Sequence, residues 1–231
     1  MTVLSKLNVT AGIEGFPDDG LVKVVLPDLK MIWLWVPKVA GSSISKALIG
    51  AYRERAIACH IPLDLIWRLN PAFRDFEVVG FKRNPYTRAV SCWFSKVISH
   101  QAVKAPHFGK GRYAGLRHGM PFAEFAAWLN TPAGADAQAD QHWMSQHLLL
   151  QRADRMLPFE QMSDSIAELG LGRVPHNNDR ARLAERTGVE HKPAAEHYDA
   201  VSYAEITRRY ARDLEVLGYG FPGDAPAAAD A

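Results

Sequence analysis

Two short, unbroken apolar runs, each followed by a turn and then an amphipathic stripe, constrain this chain more than any other feature. Met31-Ile-Trp-Leu-Trp-Val36 is rich in β-branched and aromatic residues and has no polar interruption. A run of that length suits a strand covered on both faces, as in a parallel sheet. Pro37-Lys-Val-Ala-Gly41 follows as a turn, and from Ser42 to about Arg55 the residues Ile44, Ala47, Leu48, Ala51 and Tyr52 recur at helical spacing. The pattern then repeats. Glu77-Val-Val-Gly-Phe-Lys82 reads as a second buried strand and Arg83-Asn-Pro85 as its exit, with Pro85 suited to the first turn of a helix. Ala89, Val90, Trp93, Phe94, Val97 and Ile98 form that helix's inward stripe. Strand, loop and helix, twice over, is the alternation of an α/β architecture.

The remaining segments fill in around these units. Residues 1–30 are mixed, with turn signals at Gly15-Phe-Pro-Asp-Asp-Gly20 and Pro27-Asp28. Residues 101–119 are Gly-rich and basic and read as a long loop. Pro121–Asn130 and Asp140–Leu150 look helical, as do Ser163–Leu169, Asp179–Thr187 and Ser202–Leu217. Arg155-Met-Leu-Pro-Phe-Glu160 is a third strand candidate, in which Pro158 argues for an edge position or an early end. No repeat or linker divides the chain, so a single domain is expected over residues 1–222, with 223–231 as a disordered tail.

Composition closes off several function classes. The 231 residues carry a net charge of only +2, against the strong basic excess of domains that coat nucleic acid. Any anion site must be local. No apolar run approaches the ~20 residues of a membrane-spanning helix, and the N-terminus lacks a signal-peptide pattern. The two cysteines, Cys59 and Cys92, form neither a disulfide framework nor a four-ligand zinc site. A reduced, cytoplasmic protein without a nucleic-acid partner or a transmembrane segment is the expectation.

The loop Pro37-Lys38-Val39-Ala40-Gly41-Ser42-Ser43-Ile44 carries the most chemistry. A loop between a buried strand and a helix N-terminus exposes backbone N–H groups at the positive end of the helix dipole. Gly41 permits close backbone approach, Ser42 and Ser43 add hydroxyls, and Lys38 adds a charge, so that together they suit a phosphate. The order differs from a Walker A loop, in which the lysine follows the glycines. A plain turn with a serine cap would share this composition. Arg83 leaves the second strand at its C-terminal end, where open α/β sheets bind ligands, and so is expected at the same crevice as Lys38. Ser91 lies one helical turn beyond Thr87. An arginine fork with a hydroxyl suits a second phosphate, although an Arg–carboxylate pair would also explain it.

Together the two segments resemble the sulfotransferases that use 3′-phosphoadenosine 5′-phosphosulfate (PAPS). Pro37-Lys38-Val-Ala-Gly41-Ser42-Ser43 matches that family's loop for the 5′-phosphosulfate, and Arg83-Asn84-Pro85 with Ser91, eight residues after the arginine, matches its 3′-phosphate segment. Arg83-Asn-Pro-Tyr-x-Arg-x-Val-Ser91, His142-Trp143, Leu157-Pro-Phe-Glu160 and the closing Tyr210-x-x-Asp213-x-x-x-x-Gly218-Tyr219 are similar to the carbohydrate branch, sulfotransferase family 2. The resemblance runs from about residue 31 to 221. The membrane anchor of Golgi-resident members and their paired mid-chain cysteines have no counterpart here, Leu148–Gln151 standing where the cysteines would be. The resemblance implies an α/β, P-loop-like three-layer sandwich with a central, mostly parallel sheet flanked by helices. It also implies PAPS as donor with 3′-phosphoadenosine 5′-phosphate (PAP) as product, no metal, and a saccharide-containing acceptor.

Transfer to a hydroxyl needs a base, and a group titrating near neutrality favours histidine. His60, in Cys59-His60-Ile61-Pro62, precedes Arg83 by 23 residues and is similar to the family's base segment. His142 is the second candidate. Lys38 would neutralise charge on the leaving 5′-phosphate. The basic loop Lys104–His118 suits an acidic acceptor or plain solvation, and Trp143 is a candidate for stacking on sugars while Trp33, Trp35 and Trp93 read as core. A phosphotransferase or a non-catalytic nucleotide-binding protein are the competing readings, and a homodimer is compatible with the sequence.

Overall fold

The computed structural model describes residues 21–41, 43, 44, 48, 57–59, 61–99, 109–136, 140–170 and 192–223. They fall into two compact units, one built from residues 1–82 and 148–175 and the other from 83–147 and 176–231.

The first unit holds a five-stranded sheet: β1 (Val22–Leu26), β2 (Met31–Trp35), β3 (Ile57–Cys59), β4 (Glu77–Lys82) and β5 (Arg155–Pro158), in the order β3-β1-β2-β4-β5. β2 is central. Met31 to Leu34 are all buried, as the unbroken apolar run requires of a strand covered on both faces. It pairs parallel with β4, Leu34 opposite Gly80, and β4 pairs parallel with β5, Lys82 opposite Pro158. β5 is an edge strand that stops at its proline, since that residue has no N–H to offer a further neighbour.

β1 is a strand within residues 1–30, which read in the sequence as mixed with turn signals. It runs antiparallel to β2, with Leu26 opposite Met31, and the reversal is a 3₁₀ turn at Pro27–Leu29 closed by Lys30 in a left-handed conformation. β1 also pairs antiparallel with β3, Lys23 opposite Cys59. β3, β2, β4 and β5 therefore point the same way, and their C-terminal ends lie along one edge of the sheet. The expected central, mostly parallel sheet is present, with β1 as the exception. Two short helices, α1 (Leu63–Leu69) and α5 (Met162–Glu168), belong to this unit.

The second unit is helical: α2 (Pro85–Trp93), α3 (Phe122–Trp128), α4 (Gln146–Leu149), α6 (Ala200–Arg209) and α7 (Ala211–Leu217), with Leu148 and Leu149 already counted in the first unit. α2 starts as predicted. Asn84 caps it by accepting from the Tyr86 N–H at 3.0 Å, Pro85 occupies its first turn, and it continues as a π-helical turn over Phe94–Ile98. Its inward stripe joins Phe122, Phe125, Trp128, Trp143, Ile206 and Tyr210 in one core. Trp143 is fully buried in that core, edge-on to Tyr113 and Trp128, so it is no platform for a sugar.

Two helix predictions need correcting. Asp140–Leu150 is a set of turns followed only by the short α4, and Ser202–Leu217 is two helices broken at Tyr210. The predicted helix 179–187 and the tail 224–231 lie outside the described residues.

Candidate functional site

The site residues start from the common edge of the sheet. Past Trp35 the chain tightens at once, the Val36 N–H donating to the Leu34 carbonyl at 3.1 Å. Pro37 and Val39 are buried, while Lys38 and Ala40 are half-buried. Lys38 has φ 71° and Ala40 φ 58°. Left-handed backbone costs a residue with a Cβ roughly 1–2 kcal/mol, so two such residues in a five-residue loop store strain where sequence reading proposes a phosphate. Backbone that alternates in hand is one way in which a loop can turn N–H groups toward an anion. A helix starts immediately afterwards: Gly41, Ser43, Ile44 and Leu48 are helical, and the Ser43 and Ile44 N–H groups both donate to the Ala40 carbonyl, at 2.9 and 3.1 Å. Gly41 lies against the Trp35 indole so closely that a Cβ would overlap its Cδ1 and Nε1. That glycine is required by close approach. Ser42 lies outside the described residues.

Two more segments leave the same edge. β3 ends at Cys59, the residue before His60, and His60 itself lies outside the described residues. β4 ends at Lys82, the residue before Arg83. Lys23, paired with both Leu34 and Cys59, brings a fully buried ammonium close to this edge, where its Nζ donates to the Leu21 carbonyl at 3.1 Å.

In the second unit, Arg83 is half-buried ahead of α2, and its Nε donates to Thr87 Oγ1 at 2.9 Å. Thr87 Oγ1 in turn donates to the Asn84 carbonyl at 3.1 Å. Thr87 thus ties the guanidinium to the helix face on which half-buried Ser91 sits one turn further on. The Arg83 backbone is gripped by the Gln146 side chain, and Asn84 Nδ2 donates to the Gly220 carbonyl at 2.7 Å.

His142 sits in the turn before α4. Its Nδ1 meets Asp140 Oδ1, its N–H donates to the same oxygen at 2.9 Å, and Tyr113 Oη donates to Asp140 Oδ2 at 2.5 Å. Burial alone would raise the Asp140 carboxyl, but the hydrogen bonds and charge of His142 and the Tyr113 hydroxyl outweigh it and hold the group well below the ordinary 3.8. Fully buried Arg88 clamps the same turn, donating to the carbonyls of Met144 at 2.8 Å and Gln141 at 3.1 Å. Nothing in the sequence assigns a role to Thr87, Asp140, Gln146 or Asp213. Asp213 alone had a signal, its place in the closing Tyr-x-x-Asp segment.

Of the basic loop, Lys110, Arg117 and His118 are exposed, Arg117 pairing with Glu124 and the His118 ring meeting the Ile98 carbonyl at 3.0 Å, while residues 101–108 lie outside the described residues. A cleft of about 340 Å³ in the first unit, lined by Trp67, Arg74, Phe76 and Asp154 among others, opens beside Val78 near the start of β4. That is the opposite edge of the sheet from the Pro37–Gly41 loop. Among the described residues, no three His, Cys, Asp or Glu side chains are grouped to hold a metal ion, and no helix is long and apolar enough to cross a membrane.

The family model described as the sulfotransferase family matches residues 23–220. No curated protein and no solved structure matches the chain.

Proposed function

The chain belongs to the sulfotransferase family, family 2, and from that premise we propose that it transfers a sulfuryl group from PAPS to a hydroxyl of a carbohydrate-containing acceptor. The observation that carries this reading is the Pro37–Gly41 loop, with Lys38 and Ala40 in left-handed conformations and no room at Gly41 for a side chain. A loop strained in this way beside a lysine and a helix start suits a phosphate ester better than an ordinary connection.

PAPS supplies a sulfuryl group carried on a phosphate that leaves as PAP. Lys38 neutralises the charge growing on that 5′-phosphate, and Pro37, Val39, Ala40, Gly41, Ser42, Ser43 and Ile44 shape its cradle. Arg83 and Ser91 hold the 3′-phosphate. His60 takes the acceptor's proton as the acceptor oxygen bonds to sulfur and the sulfur–phosphate oxygen bond breaks, with positioning and electrostatics supplying most of the acceleration. His142 is the alternative base, its Nδ1 meeting Asp140 Oδ1, a contact that orients the ring. The P-loop-like layering around the cradle and a reduced, cytoplasmic setting belong to the same proposal. A phosphotransferase would need a carboxylate placed for magnesium beside the loop, and a non-catalytic binder would dispense with both histidines.

Turnover tests this directly. With radiolabelled PAPS and a panel of neutral and acidic saccharides, the wild-type chain transfers label and releases PAP, and Lys38→Ala loses at least about a hundredfold in kcat. His60→Ala loses turnover while still binding PAP. Turnover that survives in His60→Ala and is lost in His142→Ala would move the base to His142. Label transfer from ATP with magnesium, and none from PAPS, would replace the proposal with the phosphotransferase.

A further inference from the structure

We propose that Gln146, locked by Asp213, is a positioning residue for Arg83 and thereby sets this chain's preference for a nucleotide bearing a 3′-phosphate. The inference rests on the proposed role of Arg83 as the 3′-phosphate ligand.

Gln146 is fully buried, and its side-chain amide is devoted to one residue. Its Oε1 accepts from the Arg83 N–H at 3.0 Å, and its Nε2 donates to the Arg83 carbonyl at 2.7 Å. The pair reproduces one rung of a β-ladder, with a side chain in place of a neighbouring strand. The need for it follows from the chain: β4 makes its last rung at Lys82, opposite a proline, and Arg83 is the first residue beyond the sheet. Without Gln146 both backbone groups of Arg83 would lose these partners at a part-buried position.

Gln146 is itself held from the C-terminal helix α7. Its N–H donates to Asp213 Oδ2 at 2.7 Å, while Asp213 Oδ1 accepts from the His147 N–H at 2.8 Å and meets His147 Nδ1 at 2.7 Å. Asp213 is fully buried, so its carboxylate is a fixed acceptor that sets where α4 begins. The arginine thus has its backbone fixed by Gln146 and its Nε direction fixed by Thr87, and the next residue, Asn84, is tied to Gly220. A guanidinium that reads a phosphate through two parallel hydrogen bonds depends on its angle, and a fixed backbone supplies that angle before the ligand arrives. The closing Tyr-x-x-Asp segment acquires a purpose in this way: its aspartate acts on the nucleotide through Gln146 and Arg83.

The test is the ratio of PAP to AMP affinity, measured calorimetrically on the full chain, because only the 3′-phosphate distinguishes the two ligands. Wild type prefers PAP, and Arg83→Ala abolishes the preference. Gln146→Met, of similar length without the amide, weakens PAP about tenfold, the worth of roughly one well-made hydrogen bond, and leaves AMP within about twofold. Adding Gln146→Met to Arg83→Ala weakens PAP no further. Gln146→Glu keeps the shape and the acceptor but loses the donor to the Arg83 carbonyl, and it too lowers the ratio, which keeps the proposal testable if the methionine variant does not fold. An unchanged ratio in either folded variant, or equal weakening of PAP and AMP, overturns the inference while leaving Arg83 as the ligand. A wild type without PAP preference, or an Arg83→Ala chain that keeps it, overturns the reading of Arg83 itself and the inference with it.

Discussion

Ala40, at φ 58°, is where local strain can be separated from charge. Glycine adopts that conformation freely, and relief of roughly 1–2 kcal/mol outweighs its own entropy cost of about 0.5–1 kcal/mol. Ala40→Gly is therefore expected to raise Tm by about 1–4 °C in a thermal melt, and to weaken PAPS binding because the loop is no longer pre-shaped. Carboxylates give the second residue-level prediction. Burial raises Asp136 as it does Asp140, but hydrogen bonds from Arg209 and Ser145 outweigh it, and both groups lie below the ordinary 3.8 when folded. Each contributes stability that is present above pH 3.8 and is lost as pH falls through the lower folded values. Asp140→Asn lowers Tm at pH 6 and flattens its fall below pH 4; an unchanged acid limb in that variant would contradict the account. Of the site residues, Lys38, Gly41, Arg83 and Ser91 stand out in the sequence because motif spacing marks them. Gln146 does not, since its value comes entirely from a backbone 63 residues away in the chain.

At the scale of elements, what was legible tracks how far each segment's hydrogen bonds are local. β2 and β4 are visible as unbroken apolar runs, and α2 as a capped stripe. β1 escapes notice because Lys23 interrupts its apolar run, and only the structure shows that lysine buried with its Nζ on the Leu21 carbonyl. β3, at three residues, is too short to leave a pattern. Asp140–Leu150 has helical periodicity, yet distant or flanking carboxylates capture its N–H groups: Asp140 takes that of His142, Asp136 that of Ser145, and Asp213 those of Gln146 and His147. Tertiary acceptors of this kind override local preference, and periodicity does not register them. The cap of α2 gives a prediction at this scale. Asn84→Ala removes the bond to Tyr86 N–H and the tie to Gly220, and should cost about 1–3 kcal/mol by denaturant titration. A loss under about 0.5 kcal/mol would mean the cap is not important to α2.

For the molecule as a whole, the strand order explains why segments far apart in sequence leave the sheet at one edge. With β1 antiparallel between β3 and β2, the C-terminal ends of β3, β2 and β4 share an edge, so the chain leaves the sheet there three times, at the residues before His60, at the Pro37 loop and before Arg83. The parallel half of that arrangement was legible, and the antiparallel half was not. The closing segment, matched only as a pattern, proves to hold the helical unit together through Tyr210 on the Trp143 carbonyl, Asp213 on α4 and Gly220 on Asn84. On the proposed function, this chain reads a nucleotide with phosphates at both the 3′ and 5′ positions. Calorimetric titration of the wild-type chain with PAP, with AMP and ATP beside it, decides whether it does. Micromolar PAP binding, much weaker AMP binding, and loss of the difference in Arg83→Ala are expected. Equal affinity for PAP and AMP, or a preference for ATP with magnesium, would contradict the proposed function.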